Sequence, residues 1–388
     1  MNLFVLQWNA YTYTDILAAF HQLGIHYHAE SYYFKDKNND PFFVDWFSKH
    51  LSDAFYDAVF SVNYFPLVAE VCHHAKIKYL SWSYDCPLNV PDIEHTLGYE
   101  TNYVFLFDRI QASTYRQKGY TQVYHLPLAV NTDRLDNITL TREDIASYSS
   151  EISFVGNLYQ STYPILSASM SDYTRGYLDA LVEMQLQLYG QYLFDATITD
   201  KLIHTINAEF RNHNTNIEIN KEQLVYSLAT FVTHKERLML LDALSKEHQV
   251  SLYSSEQHPL LTSTIFKGTV SYQDTMPKVF KCSKINLNIT VKNTQSGIPL
   301  RALDILGCGG FLLSNFQPEL AEYFTPNQDF VYYEDIFDAL DKADFYLKHD
   351  TLRTQIAQNG YQRVKECFSY PKQLGYLLQH SHLFPFFK

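Results

Sequence analysis

Residues 282–315, CSKINLNITVKNTQSGIPLRALDILGCGGFLLSN, constrain the fold more than any other stretch. Ile285, Leu287 and Ile289 alternate with polar residues, and the run from Lys284 to Val291 is rich in β-formers, so it reads as a strand. A polar loop follows from Asn293 to Gly297. Pro299 then opens a short helix, a position where its missing N–H costs nothing. Leu300, Leu303, Leu306 and Gly307 share one face at helical spacing, Gly309 and Gly310 end the helix, and Phe311 to Leu313 begin the next strand. This is a βαβ-type unit whose helix starts at the end of a strand. Such a helix start carries unpaired N–H groups and a partial positive charge, which suits a diphosphate. Gly297 lets the backbone approach a ligand closely. Arg301 is spaced to pair with a phosphate, and Asp304, one turn on, to accept from ribose hydroxyls. A plainer reading stands beside this one, with Arg301 and Asp304 as an i,i+3 surface pair and the glycines as a cap alone.

The same stretch resembles the donor-site segment of GT-B glycosyltransferases, in particular the spore-maturation CgeB-like group. There a helix with the pattern G-x-P-x-R-x-x-[ED], followed by small residues and Gly-Gly-hydrophobic, holds a nucleotide sugar. Gly297, Pro299, Arg301, Asp304, Gly309 and Gly310 match it in order. The resemblance extends through Pro318-Glu319-Leu320, Tyr346-Leu347, Arg353, Ile356-Ala357, Gly360 and Val364, and earlier through Trp82 to Pro87 and Phe154 to Tyr159. It implies two Rossmann-like α/β domains facing a central cleft, with the acceptor in the N-terminal half and the donor in the C-terminal half. One departure concerns the pair of Glu residues, eight positions apart, that retaining GT-B enzymes often carry. Asp304 keeps the second acid, while Ser296 stands at the first position, so the resemblance leaves the stereochemical outcome open.

A chain of 388 residues has room for two domains, each with its own core. A formal charge of −12 argues against broad nucleic-acid binding, which needs a basic field. The 31 Tyr and 27 Phe belong mostly to the core, though aromatic faces also stack on sugars. Five scattered Cys without a C-x-x-C, and a start, MNLFVLQWNAY, that reads as a first strand, point to a reducing, cytoplasmic setting. No apolar run reaches membrane-spanning length, which leaves at most peripheral membrane contact.

Strands are expected at Asn2 to Trp8, Ile25 to His28, Asp57 to Val62, Lys76 to Ser83, Val104 to Asp108 and Val123 to Leu126, alternating with helices. Asp15 is expected to cap the first helix. The first strand is not followed by G-x-G-x-x-G, which argues against a nicotinamide or flavin site there. HLPLAVNTD, from His125, reads as a connection, giving domains 1–130 and 131–388. The second domain opens with the strand Ile152 to Val155, contains a helical insertion at about 161–230, and has a further strand at Val250 to Ser254. A separate helix is expected at Lys235 to Leu244, and a helical, aromatic C-terminal segment from Tyr361 to Leu383 is expected to pack back on the first domain.

The expected donor-binding residues are Gly156, Asn157, Lys284, Ser296, Gly297, Ile298, Pro299, Leu300, Arg301 and Asp304, and the expected catalytic residue is Asp85. Asp85 follows a strand and so sits at a carboxyl end, placed to orient a sugar hydroxyl or act as a base, or simply to close a turn. Asp108-Arg109 reads equally as a site or as a helix cap with a surface Arg, Lys284 equally as a cleft residue or a solvated edge residue, and Arg237 as a cap or partner near the diphosphate or, the more common outcome, a helix-surface residue. The 16 His show no metal-ligand spacing and no Asp-x-Asp ends a strand, so no metal and no other cofactor is expected. Helix dipoles and basic side chains then stabilise the leaving diphosphate. The reading is a transferase moving a sugar from a nucleoside-diphosphate sugar, UDP-linked, to a hydroxyl of a glycan, polypeptide or small molecule. The alternatives are a non-catalytic glycan- or nucleotide-binding GT-B module and a nucleotide-sugar epimerase.

Overall fold

The computed structural model describes residues 1–88, 90, 93–213 and 215–384. The chain divides into two compact units. The first comprises Met1–Arg134, Ser296–Leu303 and the residues from Arg363 onward; the second comprises Leu135–Gln295 and Asp304–Gln362.

The first unit is built on six strands, β1 (Asn2–Gln7), β2 (His26–Ser31), β3 (Ala58–Val62), β4 (Lys78–Ser83), β5 (Asn102–Leu106) and β6 (Val123–His125). All pairings are parallel, in the order β2-β1-β3-β4-β5-β6. Leu3 to Leu6 and Ala58 to Phe60 are consecutive and wholly buried, so both faces of the central strands are covered. That is the reason these strands read as continuous apolar runs. The order reverses between β1 and β3, which makes their carboxyl ends a switch point.

The second unit has β7 (Ser150–Val155), β8 (Val250–Tyr253), β9 (Ile265–Phe266), β10 (Ser283–Asn288), β11 (Leu312–Asn315) and β12 (Val331–Tyr333). They are also parallel, in the order β12-β11-β10-β7-β8-β9, with the reversal between β7 and β10. The helix after β10, Leu300–Gly307, ends as expected at its glycines. Gly309, at φ +72, and Gly310 donate to Leu306 and Ile305, the Schellman pattern. A separate helix at Lys235 to Leu244 is not found; one 25-residue helix, Lys221–Ser245, runs out of the insertion and onward. No Gly or Pro interrupts it, and Asn220 and Gln223 form a capping box at its start. With four shorter helices between Tyr163 and Asn212 it encloses a core of its own, including Leu178, Phe194, Ile206, Phe210 and Leu228. The C-terminal segment likewise forms two helices, Asp350–Cys367 and Tyr370–His380, the latter packing beside the helix Tyr13–Gln22. Among the described residues no helix is long and apolar enough to cross a membrane.

Asp15 corrects an expectation. Thr12 occupies the N-cap position of Tyr13–Gln22, and Asp15 lies inside the helix, 1% exposed. Its carboxylate accepts from Arg134 Nε at 3.0 Å and Nη2 at 3.1 Å, and from Asn131 Nδ2 at 2.9 Å. Replacing Arg134 by Met strands that buried charge and is expected to cost about 3–5 kcal/mol. Chemical unfolding of the variant measures it, and a loss below about 1 kcal/mol, the size of an exposed pair, contradicts the assignment.

Candidate functional site

In the second unit the carboxyl ends of β7 and β10 meet at the switch point, and a buried arginine ties them. Arg237, on the helix Lys221–Ser245, is 7% exposed. Its Nη1 donates to the Asn157 carbonyl after β7 and its Nη2 to the Ile289 carbonyl after β10. The guanidinium also lies 5.1 Å from the Phe154 ring centre and 4.7 Å from that of Tyr159. Gly156 donates its amide to Tyr253 O at 3.0 Å, and a Cβ there would stand 3.3 Å from the Phe154 ring and 3.6 Å from Arg237 Nη1. The exposed Asn157 receives Ser255 Oγ on its Oδ1 at 3.1 Å. Arg237 is therefore neither the surface residue of the sequence reading nor a direct reader of solvent; it holds the loop of Gly156 and Asn157 in place.

Beside it sits a buried ion pair. Lys292 Nζ lies 2.9 Å from Glu236 Oε2, with the two side chains 7% and 1% exposed. The ammonium stands 4.1 Å over the Tyr189 ring. Burial, and after it the Glu236 charge, pushes the Tyr189 and Tyr333 hydroxyls well above the ordinary tyrosine range. Both phenols thus stay neutral around the carboxylate.

In the first unit the residues 296–303 are anchored by Asp108, which follows β5 and is wholly buried. One carboxylate oxygen accepts the amides of Ser296 at 2.8 Å and Gly297 at 3.0 Å. The other caps the helix Arg109–Gln117 through Gln111 N at 2.9 Å and takes Ser296 Oγ at 3.3 Å. This changes the reason for Gly297. A Cβ there would stand 2.8 Å from both Phe107 O and the Phe107 ring, so glycine is required by packing on Phe107 and Asp108. Its N–H and that of Ser296 point to Asp108, so the expected use of Gly297 as a close approach to a ligand is replaced by a protein contact. Ile298 is buried, whereas Pro299, Leu300 and Arg301 are half-buried at the opening of the helix.

Asp304, 3% exposed, accepts from the Tyr272 hydroxyl at 2.9 Å. Lys284 does not join this group. It is the second residue of β10, exposed at the amino end, where its charge bears on Asp350. At roughly 3.3 Å per residue the strand carries it well away from the loop after Asn288. Asp85 lies exposed after β4, its Oδ2 receiving Asn63 Nδ2 at 2.6 Å. Asn63, at φ +63 after β3, also takes Tyr84 N on its Oδ1 at 2.7 Å. Asp85 is thus held at the carboxyl edge of the first sheet.

Of the four residues that organise these ends, the sequence signals were partial. Asp108 had the strand-to-helix position of a cap, but its partners lie 188 and 189 residues away. Glu236, Arg237 and Lys292 carry no local signal, since each acts on a segment brought in by the sheet. Replacing Lys292 by Met leaves Glu236 buried without its cation and is expected to cost about 3–5 kcal/mol, while pairing it with Glu236→Leu restores most of that loss. A double variant as unstable as Lys292→Met alone, by urea unfolding, would contradict the coupling.

Residues 236–379 match the family described as glycosyl transferase-like. No curated protein matches the chain. Among solved structures, a glycosyltransferase from Rickettsia africae ESF-5 superposes with a TM-score of 0.61 at 10% identity, over 98% of each chain. Anabaena Alr3699/HepE in complex with UDP-glucose gives 0.57 at 8% identity, again over 98% of each chain. A sucrose-phosphate synthase from Thermosynechococcus elongatus gives 0.57 at 11% identity and the same coverage. Residues 236–379 thus carry the likeness to the glycosyl transferase-like family, and the chain has the fold of these GT-B glycosyltransferase structures.

Proposed function

We propose that the chain moves a sugar from a nucleoside-diphosphate sugar, UDP-linked, to an acceptor hydroxyl without a metal ion, as a member of the CgeB-like subgroup working in the cytoplasm. The observation that carries this reading is the family match, because residues 236–379 contain Arg237, the loop after β10 and the helix opened by Pro299. The UDP-glucose held by the Anabaena neighbour supports a uridine donor. Five free cysteines fit a reducing compartment. With Ser296 and Gly297 committed to Asp108, the diphosphate meets the next amides of the helix start, which have no acceptor inside the helix, together with Arg301. Asp304, oriented by Tyr272, takes the ribose hydroxyls. Asp85, oriented by Asn63, accepts the proton of the acceptor hydroxyl as its oxygen attacks the sugar carbon and the diphosphate leaves.

Calorimetry with UDP tests the donor half. Arg301→Ala is expected to lose about 1.5–3 kcal/mol of affinity, the range for a hydrogen bond to a charged group; unchanged binding in the folded variant would sink the assignment. Asp85→Asn is expected to lower turnover about 10²–10⁴-fold and leave UDP affinity intact. The opposite pattern, with affinity lost and turnover kept, removes Asp85 from the reacting groups. Sugar transfer that requires an added acceptor separates a transferase from an epimerase.

A further inference from the structure

The second sheet carries a cavity at the end that the donor reading leaves unused. Ligands of an open parallel sheet sit beyond the carboxyl ends of its strands. This cavity, of about 300 Å³, lies instead at the amino ends of β10 and β11. Its volume is at the lower end of the range of about 300–1,000 Å³ usual for small-molecule sites. Three segments enclose it. Residues 280–284 close the helix Thr275–Cys282 and open β10, residues 309–311 lead into β11, and the early turns of the helix Asp350–Cys367 supply residues 353–358. Phe280 and Phe311, 1% and 3% exposed, provide its apolar part. The length of β10, at about 3.3 Å per residue, separates it from the loop after Asn288.

The charge on this lining is one-sided. Lys281, Lys284 and Arg353 line the cavity, and among the described residues no carboxylate does. Lys281 Nζ donates to the carbonyls of Leu135 at 2.6 Å and Ile138 at 3.0 Å, neutral partners that leave its charge in place. Lys284 is exposed and has no hydrogen bond or close ion pair among the described residues, though its charge bears on Asp350. Arg353 is 8% exposed. Its Nη1 donates to Tyr346 O at 2.6 Å and its Nη2 pairs with Asp350 at 2.6 Å, while its Nε has no partner among the described residues. The local balance is therefore three cations against the one carboxylate of Asp350. Farther out, Asp144, whose charge reaches Cys282, and Asp274 share Lys278 at 3.2 and 3.4 Å. A net positive cavity favours a dianion over a monoanion, and a phosphomonoester carries close to two charges at neutral pH. Exposed Thr354 and Gln358 add neutral groups that suit hydroxyls. We propose that this cavity is a second ligand site, which binds a sugar-sized phosphomonoester with its phosphate at Lys284 and Arg353 and its hydroxyls at Thr354 and Gln358. The site does not depend on the nucleotide-sugar reading above.

Calorimetry on the full chain with glucose 1-phosphate, glucuronate, inorganic phosphate and glucose tests it, and amide hydrogen exchange locates the bound ligand. Glucose 1-phosphate is expected to bind about tenfold or more tighter than each of the other three, the size of a hydrogen bond to a charged group. It is expected to slow exchange in peptides covering 280–284 and 353–358. Lys284→Glu, at an exposed position, reverses the charge and is expected to weaken that binding about tenfold or more. Thr354→Trp, also exposed, fills the cavity and is expected to remove the same protection, and it decides the matter if Lys284→Glu does not fold. Four outcomes overturn the site: no binding of glucose 1-phosphate, binding unaltered in the folded variants, glucuronate or inorganic phosphate bound as tightly, or protection confined to 156–160 and 289–304. None of them bears on UDP binding, so the donor reading stands or falls by its own test.

Discussion

A single buried guanidinium holds the carboxyl ends of β7 and β10 at a fixed spacing. Where the strand order of a parallel sheet reverses, the connecting segments leave in opposite directions and open a crevice. The backbone carbonyls that flank it lose the ladder partners they would have inside the sheet. Arg237 supplies donors to both, one to Asn157 and one to Ile289, and its flat face rests on Phe154 and Tyr159. A lysine would reach with one compact charge and could not span two carbonyls in this planar fashion. Gly156 belongs to the same construction, because a side chain there would crowd the ring and the guanidinium.

The first unit uses the opposite charge for a similar purpose. Asp108 gathers the amides of Ser296, Gly297 and Gln111, so one wholly buried carboxylate both caps a helix and fixes the approach to the helix Leu300–Gly307. Such charge-assisted bonds to backbone N–H groups are short and strong. Arg301, downstream of this anchor, therefore starts from a backbone whose path is already set. Arg237 and Asp108 each contribute geometry, fixing backbone segments that lie beyond the strand ends of their own sheet.

Much of this is legible in the amino-acid sequence, and what is not has a common cause. Among the described residues, local period and punctuation locate ten of the twelve strands, the helix after Pro299 and its glycine stop. The two strands they miss, Ile265–Phe266 and Val331–Tyr333, have two and three residues, too short for a period to register. The Lys221–Ser245 helix reads as divided because its apolar face changes partners along its length, from the insertion core to the sheet. Asp15 and Gly297 invite local roles that each residue type often fills, whereas their partners lie far along the chain. Lys284 is misplaced for a different reason: alternation tells which face a strand residue takes, but a ligand site needs the carboxyl end, and Lys284 begins its strand.

Central to the proposed function is a donor bound at the carboxyl ends of β7 and β10 and at the start of the helix Leu300–Gly307. Amide hydrogen exchange followed by mass spectrometry, with and without saturating UDP, tests this most directly, because bound ligand suppresses local opening where it sits. Slowed exchange is expected in peptides covering 156–160 and 289–304, with residues 282–285 at the amino end of β10 unaffected. Protection confined to residues 7–12 and 63–66 of the first sheet, or to the amino end of β10, would contradict it.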